Sequence, residues 1–272
     1  MKKRWVFPVS DERLLWCNER IKRYQEKDHD NVLEMPATVV AHDLEVLRRN
    51  HLRKASPDSL AKVTPTMFRA SAYKIAKVLL TEELYGRNPH IKVGIFPWRA
   101  GLAFLEPFTS IGLRFPTAIY HIGASRDEKT LKTEIYFDDP PDMLRNNSFA
   151  HKLPVHFYIM DPMLATANTT LTIVKRLLKY RVGTRFVTDD MITIMSIFSA
   201  PEGIVRLVEE YADIKIVTAT IDERLNARGF IEPGCGDFGD QYSEGQTIDD
   251  YTKHRQWFSN RAFQALDERF KR

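Results

Sequence analysis

The run Asp161-Pro162-Met163-Leu164-Ala165-Thr166-Ala167-Asn168-Thr169-Thr170 places one carboxylate and three threonine hydroxyls just ahead of a helical pattern. A strand-loop-helix junction of this kind aims main-chain N–H groups and the positive helix end at an anion. With hydroxyl donors added, it has the chemistry of a monophosphate cradle. Ligands of open α/β sheets sit beyond the carboxyl ends of the strands, which sets Asp161 against a sugar or its metal. An acidic strand end followed by a Thr-rich N-cap is the structural alternative. A second run, Gly229-Phe230-Ile231-Glu232-Pro233-Gly234-Cys235-Gly236-Asp237-Phe238-Gly239-Asp240, holds four glycines and a proline. These force tight turns with exposed main-chain groups, suited to reading a small planar ring. Two arginines complete the set: Arg99 in Arg99-Ala100-Gly101-Leu102 and Arg126 in Ser125-Arg126-Asp127-Glu128-Lys129-Thr130. Each alone reads as a surface ion pair. At consecutive strand ends their forks match diphosphate oxygens.

Short β-branched and aromatic runs alternate with helical patterns through the middle of the chain, which predicts a mostly parallel sheet covered by helices. Strands are expected at Ile91-Phe96, Thr117-Ile122, Val155-Asp161, Ile192-Ser199 and Ile214-Ile221. Leu171, Val174, Leu177 and Leu178 repeat at helical spacing opposite Lys175 and Arg176, so the crossover after the threonine loop is an amphipathic helix. Ile204, Leu207, Val208 and Tyr211 mark another. Val40, Leu44 and Leu47, then Tyr73, Ala76 and Leu80, mark two more that cap one side of the sheet. Three segments are expected: an N-terminal extension over 1–34, the α/β domain over 35–248 and a C-terminal helix over 249–272. The last carries Phe263, Leu266 and Phe270 on one face, a surface that must dock on something.

With 43% apolar and 28% charged residues among 272, the chain has the composition of a globular domain with a full core. A net charge of +4, spread along the sequence, gives no nucleic-acid footprint. Cys17 and Cys235 have neither metal-ligand spacing nor the density of a disulfide framework. No apolar run approaches the roughly 18 residues of a membrane span. The first ten residues carry three positive charges but no apolar leader core, so the expected compartment is mitochondrial or cytoplasmic rather than secretory.

Taken in order, the arginine, aspartate and glycine segments, with Ala200-Pro201-Glu202-Gly203-Ile204 between them, resemble the motifs of uracil phosphoribosyltransferases over about residues 35–247. The resemblance implies the type I phosphoribosyltransferase fold: a mostly parallel central sheet, helices on both faces and a small hood. It also implies the reaction of uracil with phosphoribosyl diphosphate to give UMP and diphosphate. By the same analogy the phosphoribosyl group lies on Asp161 to Thr170, the ribose at Asp161 and the diphosphate at Arg99 and Arg126. Asp237 helps hold the donor, and uracil meets Ile231, Gly236, Asp237 and Phe238. Magnesium is expected to travel with the diphosphate, without a protein metal cage. A homodimer is the implied assembly.

The sequence departs from the pattern in places. Ala167-Asn168 stands where the family has Gly-Gly, and Phe238 where it has Ala. Asp138-Asp139 stands where it has Lys-Leu, and Thr81-Glu82-Glu83 where it has Tyr-Glu-Ala. An alanine in the left-handed region costs roughly 1–2 kcal/mol, and two new side chains are expected to crowd the anion cradle, with the Phe238 ring filling the uracil subsite. Weak or lost transfer is therefore the expectation. Two other readings stay open: a non-catalytic structural subunit of a large assembly such as a mitochondrial ribosome, and a regulator that senses uracil nucleotides.

Overall fold

The computed structural model describes residues 31–35, 37–55, 63–85, 90–112, 117–126, 133–145 and 154–243; of Ser125 and Arg126 it describes the backbone. The expected C-terminal helix and the first 30 residues lie outside this set. In chain order the elements are β1 (Val32–Glu34), α1 (Ala37–Ala55), α2 (Pro65–Tyr85), β2 (Ile91–Trp98), α3 (Leu105–Gly112), β3 (Thr117–Arg126), β4 (Thr133–Asp139) and α4 (Asp142–Arg145). There follow β5 (Val155–Met160), β6 (Met163–Leu164), α5 (Asn168–Leu177), β7 (Arg181–Val182), β8 (Arg185–Phe186), β9 (Ile192–Ser199), α6 (Pro201–Glu210), β10 (Lys215–Ile221), β11 (Arg224–Leu225), β12 (Ile231–Glu232) and α7 (Phe238–Ser243).

One eight-stranded sheet runs in the order β1-β10-β9-β5-β2-β3-β4, with β6 pairing β9. Every pairing in it is parallel except β3 with β4. Parallel strands are covered on both faces and so read as unbroken apolar runs. In β9 every residue is buried. One face packs on α5 and α6 through Leu171, Val174, Ile204 and Leu207; the other packs on α1, α2 and α3 through Leu44, Leu47, Ile75, Leu79 and Phe108. Each predicted strand and helix that falls within the described residues is present, with ends shifted by a few residues.

Two edges were not foreseen. Val32–Glu34, assigned to the N-terminal extension by composition, joins the sheet beside β10, in register from Val32 with Ile216 to Glu34 with Thr218. The α/β unit therefore begins ahead of residue 35. At the other edge β4 runs antiparallel, and its Tyr136 ring lies where a Cβ on Gly123 would come within 2.3 Å.

Pro201 stands at the first turn of α6, where its fixed φ suits the helix and its missing N–H costs nothing. Gly203 lets this helix rest on main chain: a Cβ there would lie 2.2 Å from the Ala165 carbonyl oxygen. The loop after β6 is thus pressed against the first turn of α6.

Candidate active site

The strand ends bring the expected groups to one rim of the sheet. Asp161 follows β5, Arg99 follows β2, Arg126 ends β3, and Asp222 follows β10. Asp161 accepts a hydrogen bond at Oδ2 from the Thr170 hydroxyl at 2.7 Å and one at Oδ1 from the Met163 N–H at 3.3 Å. Burial pushes its carboxyl above the usual carboxylate range, and these two bonds pull it back. The first residue of the loop is thereby locked onto the first turn of α5.

Between them the chain turns through Ala167, at φ 62°, the one non-glycine residue at positive φ among the described residues. The first intrahelical bond of α5 is from Leu171 N–H to the Ala167 carbonyl. The N–H groups of residues 166–170 have no hydrogen-bond acceptor among the described residues. A row of free donors at a helix start can receive an anion. Gly229 of the glycine loop closes over this row, its Cβ position lying 3.5 Å from the Thr166 methyl.

The glycine loop turns at Gly229, Gly234 and Gly236, all at positive φ, and Ile231 is anchored beneath it, 1% exposed. Asp237 is exposed and caps α7 by accepting the Asp240 N–H at 2.9 Å. Arg99 reaches α7: its guanidinium pairs with Asp240 at 2.7 Å and donates to the Ser243 hydroxyl at 3.3 Å. The end of β2 and the helix that follows the glycine loop are therefore tied together. The Arg126 side chain lies outside the described residues.

Three of the altered positions do not do what sequence alone suggested. The Phe238 ring is 1% exposed and packs on Phe68 with ring centroids 5.1 Å apart. Ala167 is 5% exposed and packs in the apolar core, so its methyl does not project from the loop. Asn168 turns its carboxamide to Arg206. The reversed charge at Asp138 is also accounted for, since Asp138 pairs with Arg176 of α5 at 2.7 Å and accepts from the Tyr120 hydroxyl.

A glycine at position 167 is expected to leave folding stability within about 1 kcal/mol of wild type. Relief of the roughly 1–2 kcal/mol left-handed cost is offset by the loss of about 0.8 kcal/mol of methyl burial and by added chain entropy. Denaturant unfolding of Ala167→Gly checks this, and a gain of more than about 2 kcal/mol would show that the methyl is not packed.

Sequence reasoning missed Asp222, Arg48 and Arg206. Asp222 is 4% exposed, binds the Gly234 N–H at 2.8 Å and pairs with Arg48 of α1, whose guanidinium carbon lies 5.1 Å from the Phe198 ring centroid. An acid terminating an apolar strand, as at Asp161, was the available signal for Asp222. Arg48 and Arg206 look like ordinary polar positions of amphipathic helices. Among the described residues no three His, Cys, Asp or Glu side chains group to hold a metal ion, and no helix is long and apolar enough to cross a membrane.

Residues 60–244 match the family model for uracil phosphoribosyltransferase. Over 220 residues the chain is 35% identical to the uracil phosphoribosyltransferase of Beutenbergia cavernae, covering 75% of this chain and 93% of that protein. Over 222 residues it is 32% identical to the one from Thermus thermophilus, covering 76% and 98%. Among solved structures it is similar in fold to an Aquifex aeolicus protein at 23% identity, with a TM-score of 0.62 over 80% of this chain and 99% of that one.

Proposed function

The chain belongs to the uracil phosphoribosyltransferase family, and on that premise we propose that it is a working transferase that makes UMP and diphosphate from uracil and phosphoribosyl diphosphate. The observation that supports activity is where the altered side chains go: Phe238 and Ala167 into the core and Asn168 onto Arg206, none into the cleft between the cradle and the glycine loop.

In this reading the 5′-phosphate rests on the free N–H groups of residues 166–170 and the hydroxyls of Thr166 and Thr169. Asp161, each oxygen already holding one donor, keeps lone pairs for the ribose hydroxyls. Arg99 and Arg126 face the diphosphate. Arg99 gives up part of its pairing with Asp240 when the donor enters. Main-chain groups near Ile231, Gly236 and Asp237 hold the uracil ring edge-on.

The bond from C1 of ribose to the diphosphate oxygen breaks as the bond from C1 to N1 of uracil forms, and the N1 proton passes to the departing diphosphate. A neutral ring and a multiply charged anionic donor need little covalent help from the protein; alignment and neutralisation of the departing diphosphate supply the acceleration. Magnesium carried on the diphosphate would add to that neutralisation. The protein's part is to fix the ribose between cradle and base loop and to keep water out.

The test is to incubate the purified chain with uracil, phosphoribosyl diphosphate and magnesium and to separate nucleotides by chromatography. UMP is expected to accumulate with time. No product above a boiled control would overturn the proposal and leave the non-catalytic readings, in which the chain serves an assembly or senses uracil nucleotides. Homodimerisation and a mitochondrial or cytoplasmic setting belong to the same proposal, and light scattering reads the first directly.

A further inference from the structure

One helical turn beyond Gly203 on α6 stands Arg206, and its guanidinium reaches the loop at Thr166 and Asn168. Nη1 donates to the Thr166 carbonyl at 2.9 Å and also to the Asn168 carboxamide oxygen. Its Nε and Nη2 have no hydrogen-bond acceptor among the described residues, and the side chain is exposed. The contact spans the two ends of the strained turn, Thr166 ahead of Ala167 and Asn168 behind it.

Peptide planarity gives this contact a consequence for the ligand. In a trans peptide the C=O and the following N–H point in opposite directions. Holding the Thr166 carbonyl outward toward α6 therefore turns the Ala167 N–H toward the opposite side, where the other free donors of the loop start α5. The second bond, to Asn168, fixes the helix's first residue in the same frame. A glycine pair could adopt this geometry freely. Here a left-handed alanine and an asparagine hold it, and the arginine supplies the charge-assisted bonds that keep them there.

We propose that Arg206 is a positioning residue for the 5′-phosphate of the nucleotide, acting through the Thr166–Ala167 peptide and the Asn168 side chain and adding a positive charge behind the cradle. The inference rests on the reading of residues 161–170 as a phosphoribosyl site. It predicts a dependence of phosphate binding on an α6 side chain that touches no part of the base. Lys175 and Arg176, the cations of α5 itself, stand in its last turn and are engaged with Glu210 at 2.8 Å and with Asp138 at 2.7 Å.

Titration calorimetry on the full chain tests it with UMP and with uracil, using wild type, Arg206→Gln and Arg206→Lys. Arg206→Gln is expected to weaken UMP about tenfold or more and to leave uracil unchanged; Arg206→Lys, which keeps a charged donor for the Thr166 carbonyl, is expected to recover most of the loss. Equal UMP affinity in wild type and Arg206→Gln overturns the inference. So does an equal loss for UMP and uracil, which would mark a general disturbance of the fold. Failure of the underlying reading looks different: wild type itself then gives no UMP binding while retaining a cooperative melt, and the inference falls with it.

Discussion

Replacing Phe238 with alanine, the residue typical of the family at this position, is expected to cost roughly 3–5 kcal/mol of folding stability and to bring no gain in uracil affinity. The ring is 1% exposed, sits 5.1 Å from Phe68 edge-to-face and stacks on Tyr242 at 6.0 Å. Truncation removes the transfer energy of a whole benzyl group and leaves a void among α2, α7 and the end of the sheet that rigid neighbours fill only in part. Thermal or denaturant unfolding measures the loss, and uracil titration provides the second readout. A variant as stable as wild type that binds uracil more tightly would put the ring in the base site after all.

The second large effect is expected from Arg48→Met. Asp222 is 4% exposed and its carboxylate is balanced by one guanidinium and one main-chain N–H, from Arg48 and Gly234. Removing the cation while keeping similar bulk leaves a buried anion half-compensated. Such losses run to 3–5 kcal/mol, and about 3 kcal/mol is expected here because the Arg48 side chain keeps 21% of its surface in water.

The pH dependence distinguishes this cause from a packing defect. Burial already holds the Asp222 carboxyl above the usual carboxylate range, with Arg48 pulling it down. A carboxyl raised in the folded state binds its proton more tightly than in the unfolded chain, so its ionisation costs stability as pH rises above the ordinary carboxylate value. Without Arg48 the folded-state pKa climbs further. The deficit of the variant is therefore expected to be greatest near neutral pH and to shrink as the medium is acidified and Asp222 takes up a proton. A deficit that stays constant with pH would assign the loss to packing. Because Asp222 also holds Gly234, the same variant is expected to loosen the glycine loop and weaken uracil binding.

Arg48 lies on α1, ahead of the family-matched span that begins at residue 60, yet it supports a carboxylate inside that span. This helix and β1 are thus integral to the fold rather than an addition to it. Asn31, whose carboxamide donates to the Ala212 carbonyl at 2.8 Å, extends the attachment of the first strand.

Local chemistry was enough to identify the five inner strands, the crossover helices and the two candidate loops. Buried parallel strands are apolar throughout, as in β9, and crossover helices carry apolar residues at helical spacing, as in α5 and α6. Turns that need positive φ recruit glycine, as at Gly229, Gly234 and Gly236. These signals are written in consecutive residues, so no neighbour is required to read them. The left-handed turn at position 167 was suggested only by the resemblance, through the glycines that the family has where Ala167 and Asn168 stand.

What only the tertiary structure decided is where individual side chains point once two elements meet. Phe238 lies in a glycine-rich, polar stretch that suggests an exposed loop, but the short helix α7 turns its ring onto Phe68, some 170 residues earlier in the chain. Asn168 reads as a side chain added to a phosphate loop until α6, seated on the loop through Gly203, brings Arg206 to it. Val32–Glu34 is too short to announce itself as a strand and becomes one because β10 leaves an open edge beside it. Periodicity fixes which side of its own helix or strand a residue occupies; the identity of the opposing surface comes from packing elements far apart in sequence, and that packing decided the chemistry of this cleft.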